Sequence, residues 1–193
     1  MGALRACWGP MVQVIRASLV AMALGAVLAS AGCSGSSGPA TDGPLRGGPF
    51  GAPSPGGSSC AGARVGEPET FGDERFTNHG HTTVVLDRVG LRHPYNMRLI
   101  GSYAVPGAGQ LVGVARGFPP RYSGIPPAWK HRQQVHGFRL APGKSFNMVL
   151  GVEATGAPRV RSPGMVIYYH DPAGSYVIDD RFAMIIAVGG RQC

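Results

Sequence analysis

Ser145-Phe146-Asn147-Met148-Val149-Leu150-Gly151-Val152-Glu153 sets Phe146, Met148, Leu150 and Val152 at every second position. A period of two puts all four side chains on one face of an extended strand. Ala154-Thr155-Gly156 then turns the chain. The same pattern recurs downstream, where Met165 to His170 puts Met165, Ile167 and Tyr169 on one face and Asp171-Pro172-Ala173-Gly174 ends it. Phe182 to Val188 is apolar on both faces, which predicts a central strand buried on two sides. Upstream, His81 to Leu91 is the first clear strand. Asn96 to Val105 follows and stops at Pro106-Gly107; Gln110 to Ala115 is short; Gln134 to Leu140 stops at Ala141-Pro142-Gly143. No stretch carries an amphipathic helical pattern of useful length. Short strands punctuated at intervals of about 8–12 residues predict an all-β sandwich or barrel. The two-sided burial expected of the last strand favours an antiparallel sandwich over a barrel. Its expected span is 67–193, long enough to enclose a real core.

Ahead of that domain the composition changes. Ser34 to Gly66 is dominated by Gly, Ser, Pro and Ala. Such a stretch buries too little apolar surface to offset its ordering entropy. Residues 33–66 therefore read as a flexible tether, with an r.m.s. span of roughly 30 Å. A Pro-rich recognition segment is disfavoured, because no P-x-x-P repeat with flanking charge is present.

Residues 1–32 read as an export signal. Arg5 and Arg16 make a positive beginning, Ala17 to Leu28 is apolar, and the small residues Ala29-Ser30-Ala31-Gly32 lead to Cys33. A transmembrane helix needs roughly 20 apolar residues, more than follow Arg16 here. Met11 is an alternative start with the same consequence. Cleavage after Ala31 would give plain secretion and leave Cys33, Cys60 and Cys193 outside the cell, an odd set. Acylation of Cys33 would leave an even pair, and parity favours it. The end of the signal resembles the bacterial lipobox at Ala31, Gly32 and Cys33, with Ser30 where that pattern usually has Leu. The reading is a protein lipid-anchored at the outer face of the cytoplasmic membrane, its domain closed by a Cys60–Cys193 disulfide in an oxidising compartment.

The formal charge is +8, or +6 once Arg5 and Arg16 leave with the signal. Lys130 and Lys144 are the only lysines. An Arg-rich chain that also abounds in Ala, Gly and Pro fits a high-GC genome, so part of the charge reflects codon use. Outside the membrane the available anions are phospholipid headgroups, phosphate polymers and acidic glycans, or an envelope protein bearing such charge; nucleic acid is not expected there.

Three constellations could carry chemistry. His79 and His81 flank Gly80, and Met97, Met148, Met165 and Met184 are available thioethers, a donor set that would suit copper. Met148 and Met184 fall at core positions, where Met is ordinary filler, and no clustered ligand motif is present. An envelope hydrolase is the second alternative. It finds no G-x-S-x-G or H-E-x-x-H; His170-Asp171 is adjacent in sequence at a turn, and Glu153, Asp171, Asp179 and Asp180 are the few candidate acids. Neither a cofactor nor catalysis is expected. The third is the irregular connection Arg116 to Arg132, broken by two Pro-Pro pairs. It interleaves Tyr122 and Trp129 with Arg121, Lys130 and Arg132, which suits stacking on a glycan or contact with phosphate. The plainer reading is a crossover whose aromatics cap the sandwich.

Phe76-Thr77-Asn78-His79-Gly80, Leu140-Ala141-Pro142-Gly143-Lys144, Val166-Ile167-Tyr168-Tyr169, Gly174-Ser175-Tyr176 read as a turn, and the terminal Cys193 together carry a resemblance. From Phe71 to Cys193 the chain resembles the small exported lipoproteins of high-GC Gram-positive bacteria with one C-terminal immunoglobulin-like sandwich. The resemblance implies architecture, not activity. The expected function is a non-catalytic binding or scaffolding module.

Overall fold

The computed structural model describes residues 38–49, 57–189 and 193. The strands are β1 (Leu45–Pro49), β2 (Gly57–Ala63), β3 (Pro68–Asn78), β4 (Val84–Leu91), β5 (Met97–Pro106), β6 (Gly113–Arg116), β7 (Gln133–Gln134), β8 (Arg139–Leu140), β9 (Ser145–Ala154), β10 (Arg161–Ser162), β11 (Met165–Asp171), β12 (Gly174–Asp180) and β13 (Phe182–Val188). A 3₁₀ turn, Pro127–His131, is the helical element among the described residues. One sheet has the order β1-β3-β9-β5-β7, with β6 sharing the free edge of β3 beside β1. A second has the order β12-β11-β4-β8, and a third β10-β13-β2.

These sheets pack as an all-β sandwich around one core. Phe71, Phe76, Phe146, Met148 and Leu150 come from the first sheet, Leu86, Ile167 and Tyr169 from the second, Met184 and Ile186 from the third. Among the described residues the ladders between these strands are antiparallel except β13 with β2, which is parallel from Phe182↔Gly57 to Val188↔Ala63.

β9 is the strand buried on both faces. Phe146, Met148, Leu150 and Val152 enter the main core, while Val149 points the other way into a smaller cluster with Val105, Val112 and Trp129. This corrects the expectation for Phe182 to Val188. In β13, Phe182, Met184 and Ile186 are buried, but Ala183, Ile185 and Ala187 are only half covered. The connection between β6 and β7 lies over β9, and its packing supplies the second buried face.

β3 is the longest strand and was hidden in the sequence. Its acids Glu69, Asp73 and Glu74 obscure an apolar pattern that also changes phase. A bulge between Phe71 and Glu74 shifts the register against β9, so Phe71 and Phe76 both face the core although five positions apart. Gly174-Ser175-Tyr176, read as a turn, instead opens β12, where Tyr176 stacks on Tyr169 at 5.3 Å. Gln134 to Leu140 is not one strand but two short ones around a turn at Val135–Phe138.

The expected tether also needs correction. Within 33–66 lie β1 and β2, and a parallel bridge joins Ala40 to Tyr176. Strand pairing uses backbone groups, so Gly and Ser do not prevent it when a neighbouring strand offers an edge. At Gly47 the lack of a side chain is required. A Cβ there would collide with the backbone of Arg75 and Phe76 across the β1–β3 ladder. Leu45, 1 % exposed, fastens the strand to the core. The folded body thus includes described residues from Ala40, not only those from 67. Cys33 and the signal lie outside the described residues.

Candidate functional site

The connection from Gly117 to Arg132 is a packed platform. Thr70 Oγ1 donates to the Gly117 carbonyl at 2.5 Å, and the Gly117 N–H donates to Pro68 O at 2.9 Å, fixing its start. Phe118 lies over Gly101 and Gly151, and any Cβ at Gly151 would overlap its ring. Tyr103 stacks on Phe118 and takes Trp129 edge-on, both at 5.5 Å between ring centroids. Such contacts add about 0.5–1.5 kcal/mol each beyond burial. The 3₁₀ turn places Trp129 at 8 % exposure, in the cluster with Val105 and Val149. Trp129 therefore offers no free face for stacking on a ligand. Tyr122 is half exposed; its hydroxyl donates to Val112 O at 2.6 Å, and burial pushes its phenol above the ordinary value.

The charged residues that this frame leaves in solvent are cations: Arg121, Lys130 and Arg132 are exposed. The Arg132 guanidinium rests over Trp129 at 4.8 Å and Tyr103 at 5.5 Å, which orients it without neutralising it. Arg132 directly precedes Gln133, which lines a groove of about 520 Å³ with Pro106, Phe138, Arg139, Lys144 and Ser145. Arg139 and Lys144 are exposed, and the lining contains no acidic residue. Sequence reasoning missed this groove. The signal for it was present: from Arg88 to Val152 the chain contains no Asp or Glu.

Ion pairs among the described residues lie elsewhere. They join Arg92 to Asp179 at 2.7 Å, Arg98 to Glu153, and Arg64 to Glu67, while His170 Nδ1 is hydrogen-bonded to Asp87 at 2.8 Å. None uses Arg121, Lys130, Arg132, Arg139 or Lys144. Burial removes further negative charge from the surface, since four of the ten carboxylates, Glu69, Asp73, Glu74 and Asp180, are internal. Burial pushes Glu69 up to about 7, against the pull of Arg116, and pushes Glu74 up to about 9 with help from Asp180 and Asp73. The surface is thus more basic than composition implies.

His79 and His81 are exposed beside a second hollow of about 490 Å³, lined also by Asp42, Arg46, Asp171 and Tyr176. Among the described residues no three His, Cys, Asp or Glu side chains are grouped to hold a metal. His170 pairs with Asp87 and not with its neighbour Asp171. Burial is the largest single influence on Asp171 and raises it, but the hydrogen bonds from Thr82 and the Ala173 and Gly174 amides together outweigh it and hold the carboxyl below its ordinary value. Asp171 ends β11, and its carboxylate accepts from the amides of the turn that follows. Cys60 and Cys193 are joined in a disulfide with Cα atoms 5.5 Å apart.

No protein-family model and no curated protein matches the chain. Among solved structures it is similar to the VesB protease of Vibrio cholerae, at 12 % identity and a TM-score of 0.38, covering 74 % of this chain and 32 % of that one. The PapD-like domain 7 of human CEP192 is matched at 14 % identity and a TM-score of 0.37, over 77 % of this chain and 87 % of the domain. The chain spans about a third of the length of the protease. Neither likeness bears on activity.

Proposed function

We propose that this protein is an exported, lipid-anchored and non-catalytic binding module at the outer face of the cytoplasmic membrane, engaging an anionic envelope component. The observation that carries the reading is the set Arg121, Lys130, Arg132, Arg139 and Lys144, exposed on an acid-free stretch and unpaired among the described residues. A cation without a carboxylate partner is free to meet a ligand's charge. A packed platform beneath it lowers the entropy cost of doing so. The disulfide supports an oxidising compartment, and the signal ending at Cys33 supports the anchor.

Two experiments test the reading. Replacing Cys33 with Ala should release the protein into the medium or stall its processing; a variant that stays membrane-bound and is cleaved normally would rule out the anchor. The released protein should bind isolated envelope less tightly as salt rises, because exposed charges are screened over about 8–10 Å. An Arg121→Ala, Lys130→Ala, Arg132→Ala triple variant should lose at least tenfold in that binding at low salt while unfolding at the wild-type temperature. Unchanged binding would discard the surface.

A further inference from the structure

We infer that the end of the sandwich where the chain enters is a membrane-facing platform, and that the Arg139–Lys144 groove seats the phosphates of anionic lipids in the leaflet holding the anchor. This rests on the lipid-anchor reading of Cys33 and names the anionic component that the module meets.

The first support is the length of the leash. The Ala40 N–H donates to Ser175 O at 3.0 Å, and the Val177 N–H donates to Ala40 O at 2.8 Å, so the chain is fastened to β12 from Ala40 onward. Only residues 34–39 separate Cys33 from that point. Seven Cα steps reach at most about 25 Å. A lipid on Cys33 therefore holds the point of attachment within about 25 Å of the anchor, a bound that a 33-residue tether would not impose.

The second support is where that point lies. The His79 N–H donates to Pro44 O at 3.0 Å, tying the entering chain to the end of β3. One residue back, the Asn78 N–H donates to Lys144 O at 2.9 Å, and the Gly143 N–H donates to Asn78 O at 2.8 Å. Gly143 and Lys144 form a wall of the groove. Leash and groove thus share one end of the sandwich, two hydrogen-bonded steps apart. The acids at this end, Asp42 and Asp171, line the other hollow, on the β12 side.

Charge supplies the complementarity. Arg139 and Lys144 line the groove together with the buried Phe138 and Leu140 and with Ser145, and no carboxylate is among the lining residues. Each Lys or Arg held near an anionic leaflet is worth roughly fivefold in affinity. Tethering adds an effective concentration in the millimolar range, so weak contacts suffice to hold an orientation.

The test uses the full-length Cys33→Ala protein, exported and purified, with vesicles of one part phosphatidylglycerol to two parts phosphatidylcholine and with pure phosphatidylcholine. Co-sedimentation should favour the anionic vesicles, and Arg139→Ala with Lys144→Ala should weaken it about twentyfold. Arg139→Lys with Lys144→Arg keeps the charge and should restore it, which separates charge from folding defects. Equal binding to both vesicles, or no effect of the alanine pair, overturns the inference. Soluble inorganic polyphosphate is the second arm. Binding to polyphosphate without binding to vesicles overturns the membrane platform but leaves the anion-binding reading standing. Binding to neither removes both.

Discussion

Glu74 is an acid in an apolar place. It is 4 % exposed, and neither carboxyl oxygen has a hydrogen-bond partner. It follows the bulge in β3 and borders a small cavity with Phe71, Leu150, Met165, Phe182 and Met184. The carboxylates nearest in effect have partners of their own: Ser59 donates to Asp73, and the Phe182 N–H donates to Asp180 at 2.8 Å. Burial first, then Asp180 and Asp73, push Glu74 from its ordinary 4.5 to about 9. Between those values the folded protein binds a proton that the unfolded chain has lost. Stability is therefore greatest below about pH 4.5 as far as this group is concerned, and falls as pH climbs toward 9. Glu69, pushed up to about 7 chiefly by burial, acts with the same sign over the lower part of that window. The unfolding temperature should decline from pH 5 to pH 9. Glu74→Gln, uncharged at every pH and of the same shape, should flatten the decline and be the more stable protein above neutrality. Thermal scans across pH check this, and an unchanged slope in the variant would refute it.

At the scale of elements the decisive piece is the 3₁₀ turn with its platform. Trp129→Ala would empty the space between Tyr103, Val105 and Val149 and should cost about 3–5 kcal/mol in denaturant unfolding. Arg121→Ala, at an exposed site, should leave stability within about 0.5 kcal/mol of wild type. A small loss at Trp129 would mean that the platform is not anchored through it. The aromatic residues of this connection were legible in the sequence, but not their division of labour. Tyr122 and Trp129 look alike on paper; in the fold the tryptophan goes under, against Val105, Val149 and Tyr103, while Phe118 settles on the glycines at 101 and 151. Strands with clean alternation, such as β4, β9 and β11, were readable because one face meets a core. β3 was not, since a bulge flips its phase and three acids interrupt it. β1 and β2 were not, since they are held by backbone pairing that side-chain patterns do not report. The groove at Arg139 and Lys144 was not legible from motifs, since its signal is an absence, the missing acids between Asp87 and Glu153.

For the molecule as a whole, β2 is a seven-residue strand with little hydrophobic hold. Its sequence is Gly-Ser-Ser-Cys-Ala-Gly-Ala, and only Ala61 is buried. Its place depends on the parallel ladder with β13, on Ser59 bonding Asp73, and on the bridge from Cys60 to Cys193. That bridge spans a sequence separation of 133 residues. Closing so long a loop stabilises the fold by about 5 kcal/mol in the chain-entropy account. Replacing both cysteines by serine should lower the unfolding temperature, and local opening should follow the weakest pairing. Amides at 57–63 should exchange faster than those of β3 and β9, which the first sheet holds independently. The loss should also reach the buried acids. With β2 loosened, Ser59 no longer holds Asp73 beside Glu74, water gains access to the cavity, and the desolvation that raised Glu74 is relieved. The double serine variant should therefore show a shallower fall of stability between pH 5 and pH 9 than the native protein. Hydrogen exchange at 57–63 and the pH series read the two effects separately. Native protection of β2 in the variant would mean that the parallel ladder alone holds it, and the disulfide would then act only on the unfolded chain.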